Sequence, residues 1–298
     1  MSKNPIAPDS GAGLPSPDLQ YLDLPRLHAA LTDIAVQAGR LALRDYRQGA
    51  RTTALVHWKD GGSPVTDADL AVDDYLAGAL KAVAPFAFHS EERPYSWTGD
   101  AEAPTFVVDP IDGTRNFSEG GDAWCIVIGV MAGRVPVAGV VHMPARRETF
   151  SAFSGGGAFL NATRLSTLPP SAQRLPPLAQ PLPPLAQPLR VTGPRSVAER
   201  LAFRLGEPLV SAAPVPALAH RLLVPLAGRA DLALARAGGH DWDIVASDCI
   251  LREAGGQLLS LDGRLPDYRL AGGEHPPLMA GARGLLEKIG ASLLTDTA

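Results

Sequence analysis

Residues 109–117 read Asp-Pro-Ile-Asp-Gly-Thr-Arg-Asn-Phe (DPIDGTRNF). They follow Thr105-Phe106-Val107-Val108, a run of β-formers, so the chain is expected to leave a buried strand at Asp109. Asp109 and Asp112 lie close in sequence, and Gly113-Thr114 follows at once. Carboxylates crowded at one strand end repel each other, and a divalent cation reverses that by stabilising every ionised oxygen nearby. Gly113 and Thr114 can open a helix whose free amides accept a phosphate. The stretch points to a metal on Asp109 and Asp112, with a phosphate close to Gly113 and Thr114.

Other acids collect at the ends of predicted elements. Thr66-x-x-Asp69 forms a capping box at the start of a helix running to about Val83. Glu91 and Glu92 end the strand FAFHS (86–90), and Asp241 and Asp243 begin the helix DWDIVAS (241–247). Such ends lie at the rims of layered α/β folds, where sites are usually built. Oxygen ligands without a Cys or His pattern favour Mg²⁺ or Mn²⁺ over Zn²⁺. Taken singly, each acid has a plainer reading: Asp69 as a helix cap, Glu91 and Glu92 as a solvated strand end, Asp243 as a helix-start acid favoured by the dipole. Asp73 and Asp74 read as surface charges, and His89 and His240 as hydrogen-bonded structural groups.

The 298 residues, 46% of them hydrophobic, suffice for one large domain or two fused ones. The net charge of -4 comes with no Lys/Arg block, which argues against nucleic acid or an anionic membrane as partner. No apolar run approaches the ~20 residues of a membrane span. Residues 1–22 are rich in Pro, Gly, Ser and Asp and lack an apolar h-region; they read as a disordered tail, not a secretory signal. Cys125 and Cys249 sit among apolar residues and read as buried free thiols, so a cytoplasmic location is expected.

Helical spacing of Leu27, Leu31, Ile34, Ala38 and Leu41 predicts a first helix ending near Gly49. Residues 175–181 and 182–188 both read LPPLAQP. Paired prolines lack the amide donors a helix needs, so 168–189 is expected to be a polyproline-II linker or surface insert. It divides an N-terminal half, 23–167, which carries most of the acids, from a C-terminal half, 190–298. Helices and strands alternate in the second half, with ALAHRLLVPLAG (217–228) read as helical, and the whole reads as α/β with antiparallel pieces.

DPIDGTRNF resembles the central signature of the inositol monophosphatase family. HDWDIVASDCILREAGG (240–256) resembles its C-terminal signature, and SPVTDAD (63–69) and SEE (90–92) match its two upstream motifs in order. The resemblance covers roughly residues 24–292. It implies a layered α-β-α-β-α sandwich and hydrolysis of a small phosphorylated metabolite by a lithium-sensitive, Mg²⁺-dependent phosphomonoesterase. Two or three ions per site and a homodimer go with it. By motif, Glu91, Asp109 and the carbonyl of Ile111 would bind one metal, and Asp109, Asp112 and Asp243 a second. Glu91 would help place a third. Thr114 would orient the attacking water and Asp69 would orient Thr114, while Gly113, Thr114 and Asp243 would meet the substrate.

The sequence departs from the family pattern twice. Ser90 stands where the family's Gly-Glu-Glu has Gly. Arg236 lies seven residues before Asp243, where inositol-cleaving members carry a Glu that touches the sugar. Arg236 is then either a surface residue at a strand end or a group that holds a second anion of the substrate. Related branches cleave histidinol phosphate, fructose 1,6-bisphosphate or 3′-phosphoadenosine 5′-phosphate. A non-catalytic ligand-binding or regulatory protein of the same fold is the alternative class.

Overall fold

In the computed structural model, which describes residues 22–59, 61–94, 103–165, 188–268 and 273–295, the stripe of Leu24, Leu27, Leu31, Ile34 and Ala38 is the buried face of α1 (Leu24–Ala42). Asp23 caps this helix by accepting the amide of Arg26, and Pro25 occupies its first turn, where no donor is lost. The helix stops at Ala42, short of the expected Gly49. Tertiary packing overrides the local pattern there: the Tyr46 ring sits against Phe117 and Trp124, and its hydroxyl donates to Gly120 O. A small hairpin follows, β1 (Val56–Trp58) paired antiparallel with β2 (Pro64–Thr66). It delivers the chain to α2 (Asp67–Val83), which opens on the expected Thr66/Asp69 capping box and buries Val72, Leu76 and Leu80.

The main sheet has seven strands side by side in chain order. They are β3 (Ala87–Ser90), β4 (Thr105–Asp112), β5 (Cys125–Ala132), β6 (Val135–Met143), β7 (Glu148–Phe153), β8 (Gly157–Leu160) and β9 (Thr163–Arg164). Only β3 and β4 run parallel; the rest are antiparallel neighbours. The short helix α3 (Thr114–Ser118) separates β4 from β5. The later part of the chain builds a second, five-stranded sheet from β10 (Leu189–Thr192), β11 (Leu209–Ser211), β12 (Leu232–Ala235), β13 (Gly256–Ser260) and β14 (Leu278–Ala282), ordered β11-β10-β12-β14-β13. Its helices are α4 (Arg195–Leu205), α5 (Leu218–Leu223), α6 (Asp241–Glu253) and α7 (Arg283–Thr295). The helix expected over 217–228 is α5 followed by a tighter turn at Val224–Ala227, because Pro225 has no amide to continue the ladder.

The layers follow from which faces are apolar. α1 and α2 pack on one face of the main sheet, sharing a core with Phe106, Val108, Ile126 and Ile128. α6 and α5 lie between the two sheets, and α4 and α7 cover the far face of the smaller one. This is a layered α-β-α-β-α sandwich. The central layer sits close. Gly129 on β5 and Gly139 on β6 are paired, and a Cβ on either would come within 2.5 Å of Val245 or Ala246 of α6. Glycine at both places lets the helix rest on the strands and fixes where its first turn falls. Residues 1–21 of the expected tail and 168–187 of the Pro-rich segment lie outside the described residues; Leu22 packs on the core, and Leu189, expected in the linker, already opens β10.

Candidate active site

β4 does not end at Asp109, as the sequence suggested, but at Asp112. Asp109 pairs with Val127 and Asp112 with Cys125, so β4 advances by one residue more than β5. In a regular strand, residues i and i+3 point to opposite faces. The β-bulge at Pro110-Ile111 changes that parity and puts both carboxylates on one face. Pro110 suits the bulge because it has no amide to leave unpaired. Ile111 turns its side chain into the opposite core, beside Val108 and Ile126, while Val107 and Val127 face the α6 side.

The third acid comes from α6. Asp243 closes a cap on its own helix, with His240 N donating to Oδ2 at 2.6 Å. Since α6 packs against β4, β5 and β6, one carboxylate oxygen from each of Asp109, Asp112 and Asp243 falls within 4.8 Å of the other two. Asp112 is held by main chain: Leu218 N donates to Oδ1 at 3.0 Å and Ala219 N to Oδ2 at 2.6 Å. Asp109 is different. It is 2% exposed, and its Oδ1 has no hydrogen-bond partner among the described residues.

These surroundings disfavour ionisation. Burial, then the charges of Glu91, Asp112 and Asp243, push Asp109 well above the carboxylate range. Burial and Asp112 do the same to Asp243. Burial raises Asp112 to about 6, against the pull of the Ala219 and Leu218 amides. A largely buried all-oxygen set with one unsatisfied oxygen suits a hard divalent cation.

Asp69 and Thr114 meet beside this cluster. Thr66 N and Thr66 Oγ1 donate to Asp69 Oδ2 at 2.8 and 2.5 Å, leaving Oδ1 to accept from Thr114 Oγ1 at 2.9 Å. Ile111 O is a second acceptor, also 2.9 Å from Thr114 Oγ1. The hydroxyl has one proton for two acceptors, and its lone pairs remain to accept from an incoming O–H. Burial raises Asp69 to about 6. Gly113 takes φ 90°, and a Cβ there would lie 3.0 Å from Ala123 O. Gly113→Ala should therefore cost about 1–2 kcal/mol from the left-handed backbone alone. Urea unfolding checks this, and an unchanged midpoint would contradict it.

Glu91 is not within the three-acid group. Lys59 Nζ lies 2.8 Å from Glu91 Oε1 and 2.8 Å from Glu92 Oε1. Burial lowers the Lys59 pKa, but the two carboxylates overcome this and raise it. Burial pushes Glu92 up to about 7 in spite of Lys59. Lys59 escaped the sequence reading because a lysine in a Gly-rich loop carries no signal of its own.

Arg236 is exposed, one residue beyond β12. It is close enough to lower the pKa of Arg221, which is lowered first by burial and raised by Asp112 and Asp243. Arg221 was likewise missed. The sequence reading also misplaced Asp73, which is 3% exposed, not a surface charge. It lies one helical turn after Asp69 on the face toward β3, where Ser90 Oγ donates to it at 2.5 Å and Arg93 pairs with it. The histidines fit structural roles: His240 stacks on Trp242 at 4.4 Å between ring centroids, and His89 lies 5.2 Å from the same ring. Asp241 binds His275 Nε2 at 2.7 Å. Both cysteines are buried and free.

The model of the inositol monophosphatase family matches residues 25–293. Inositol monophosphatase 1 of Solanum lycopersicum is 30% identical over 233 residues, 77% of this chain and 84% of that protein. A histidinol-phosphatase of Streptomyces coelicolor is 30% identical over 261 residues, 82% of this chain and 89% of that protein. The crystal structure of the extragenic suppressor protein suhB from Bartonella henselae aligns with a TM-score of 0.71 at 25% identity, covering 90% of this chain and 98% of that one. On sequence, motifs and architecture alike, the chain belongs to the inositol monophosphatase family and is a phosphoric monoester hydrolase.

Proposed function

We propose that this protein hydrolyses a small phosphorylated metabolite in a Mg²⁺-dependent reaction at the Asp109–Asp112–Asp243 cluster, with Mn²⁺ as a possible substitute. The observation that carries the reading is the meeting of three carboxylates, Asp109 and Asp112 buried and Asp243 half-buried, with one oxygen of Asp109 unpartnered among the described residues. Asp109, Asp112, Asp243, Glu91 and the carbonyl of Ile111 would hold two or three ions. Bound metal would lower the pKa of water and neutralise charge on the phosphoryl oxygens. Thr114 Oγ1 accepts a hydrogen bond from the incoming water while passing its own proton toward Asp69 Oδ1. Gly113 and Thr114 offer amides at the start of α3 to the phosphate. Among the described residues no helix is long and apolar enough to cross a membrane. A cytoplasmic homodimer is the proposed setting, and sedimentation of the purified protein tests the dimer.

Stability should report the ion. Asp69 and Asp112 bind protons more tightly folded (about 6) than at their ordinary 3.8. Their contribution is full below 3.8 and is lost as pH rises through the folded values, and Asp109 and Asp243 extend the loss upward. The metal-free protein should therefore lose thermal stability as pH rises through this window. Mg²⁺, which competes with those protons, should raise Tm more at about pH 7.5 than at about pH 5. Equal gains at both would count against the ion sitting on these acids.

Substrate choice turns on Arg236. A guanidinium cannot accept a hydrogen bond from a sugar hydroxyl as a Glu does, but it can hold an anion with paired N–H donors. Arg236 and Arg221 lie near each other, so the positive charge is not isolated. A bisphosphate such as 3′-phosphoadenosine 5′-phosphate or fructose 1,6-bisphosphate should be cleaved better than inositol 1-phosphate. Arg236→Glu should shift the ratio of kcat/KM by ~10- to 100-fold toward the inositol ester. Phosphate release by both enzymes on a panel including histidinol phosphate decides this. An unchanged ratio removes Arg236 from the substrate site, and no release from any ester sinks the hydrolytic reading.

A further inference from the structure

We propose that Arg221 is a positioning residue for Asp112, acting through the Val215–Pro216 segment and the first two amides of α5. The inference rests on the reading of Asp112 as a metal ligand. Both Asp112 oxygens accept main-chain N–H groups, Leu218 N and Ala219 N. Cys125 Sγ also reaches Oδ2, at 3.6 Å, so the two stronger holds on the carboxylate come from the first turn of α5. That helix is six residues long, and its N-cap residue, Ala217, makes no side-chain cap. So short and uncapped a helix does not fix its own first turn.

Arg221 fixes it from within. One turn into the helix, its side chain folds back to the segment that precedes it. Nε donates to Val215 O at 2.6 Å and Nη2 to Pro216 O at 2.7 Å, while Nη1 reaches Leu234 O on β12 at 3.4 Å. One rigid, planar fork thus ties the entry of α5 to a strand of the smaller sheet. The same guanidinium interacts favourably with the charges of Asp112 and Asp243. A lysine at this position has a single nitrogen and cannot hold all three carbonyls in a fixed relation.

The test is Mn²⁺ binding, followed by electron paramagnetic resonance on metal-stripped wild type, Arg221→Met, Arg221→Lys, Leu218→Pro and Asp112→Asn, with a thermal midpoint for each. Arg221→Met should weaken Mn²⁺ binding ~10- to 100-fold, the scale of losing a group that orients a metal ligand. Arg221→Lys should recover part of this. Leu218→Pro should also weaken binding, because it deletes the N–H that holds Asp112 Oδ1. Leu218 is the first helical residue, where proline is tolerated, and Ala217 (φ -61°, ψ 125°) already has the conformation required before proline. A merely structural Arg221 would lower the thermal midpoint of Arg221→Met and leave its Mn²⁺ affinity at the wild-type value, which overturns the proposal. Should Arg221→Met fail to fold, wild-type affinity in both Arg221→Lys and Leu218→Pro overturns it equally. Asp112→Asn separates the two claims. If it binds Mn²⁺ normally, the metal reading itself has failed; if it loses Mn²⁺ while the Arg221 and Leu218 variants keep it, only this inference has.

Discussion

Asp109→Asn is expected to lose at least ~100-fold in kcat/KM at saturating Mg²⁺, the scale of removing an electrostatic contact to the transition state. The substitution changes one charge and almost no volume. Asp109 is the acid that feels most of the others: Glu91, Asp112, Asp243 and Asp69 all raise its pKa after burial has done so. In the metal-free protein the change should relieve repulsion, so the thermal midpoint should hold or rise. The gain in midpoint on adding Mg²⁺ should shrink. That pairing, a stable protein with a lost rate, separates loss of the ion from damage to the fold. A variant that keeps a near-normal rate would remove Asp109 from the metal site.

Thr114→Val should lower kcat by ~100- to 10,000-fold with little change in KM, the usual span for proton transfer by a positioned group. Valine keeps the shape and the amide of position 114 but removes the hydroxyl that donates to Asp69 Oδ1. Asp69→Asn should fall into the same range, since an amide nitrogen turned toward Thr114 cannot accept its proton. Because the two groups act as one relay, the double variant should be scarcely slower than either single one. If the two losses multiply, the residues act independently and the relay is wrong.

The features that the sequence reveals are local. The α1 stripe, the Thr66/Asp69 cap and the α6 start are all written within a few adjacent residues, and each lies where periodicity or capping rules place it. The meeting of Asp69 with Thr114 was legible only through the family resemblance, because 45 residues separate them. What local rules could not reach is set by pairing at a distance. The bulge at Pro110-Ile111 exists only against β5, so the run of β-formers gave no sign that β4 continues to Asp112. Asp73 looks like a surface acid until Ser90 and Arg93 close over it. Arg221 reads as one more charge on a helix until its fork is seen on Val215, Pro216 and Leu234. Burial of a polar residue depends on its partners, and those partners come from other elements.

Phosphate release from a phosphomonoester by the EDTA-treated protein, before and after titration with Mg²⁺, tests the account most directly. The predicted result is no release above background without metal and a saturable return of turnover as Mg²⁺ is added. Undiminished turnover in EDTA, with no response to Mg²⁺, would contradict it, since the clustered carboxylates would then be hydrolysing the ester without the ion they are arranged to hold.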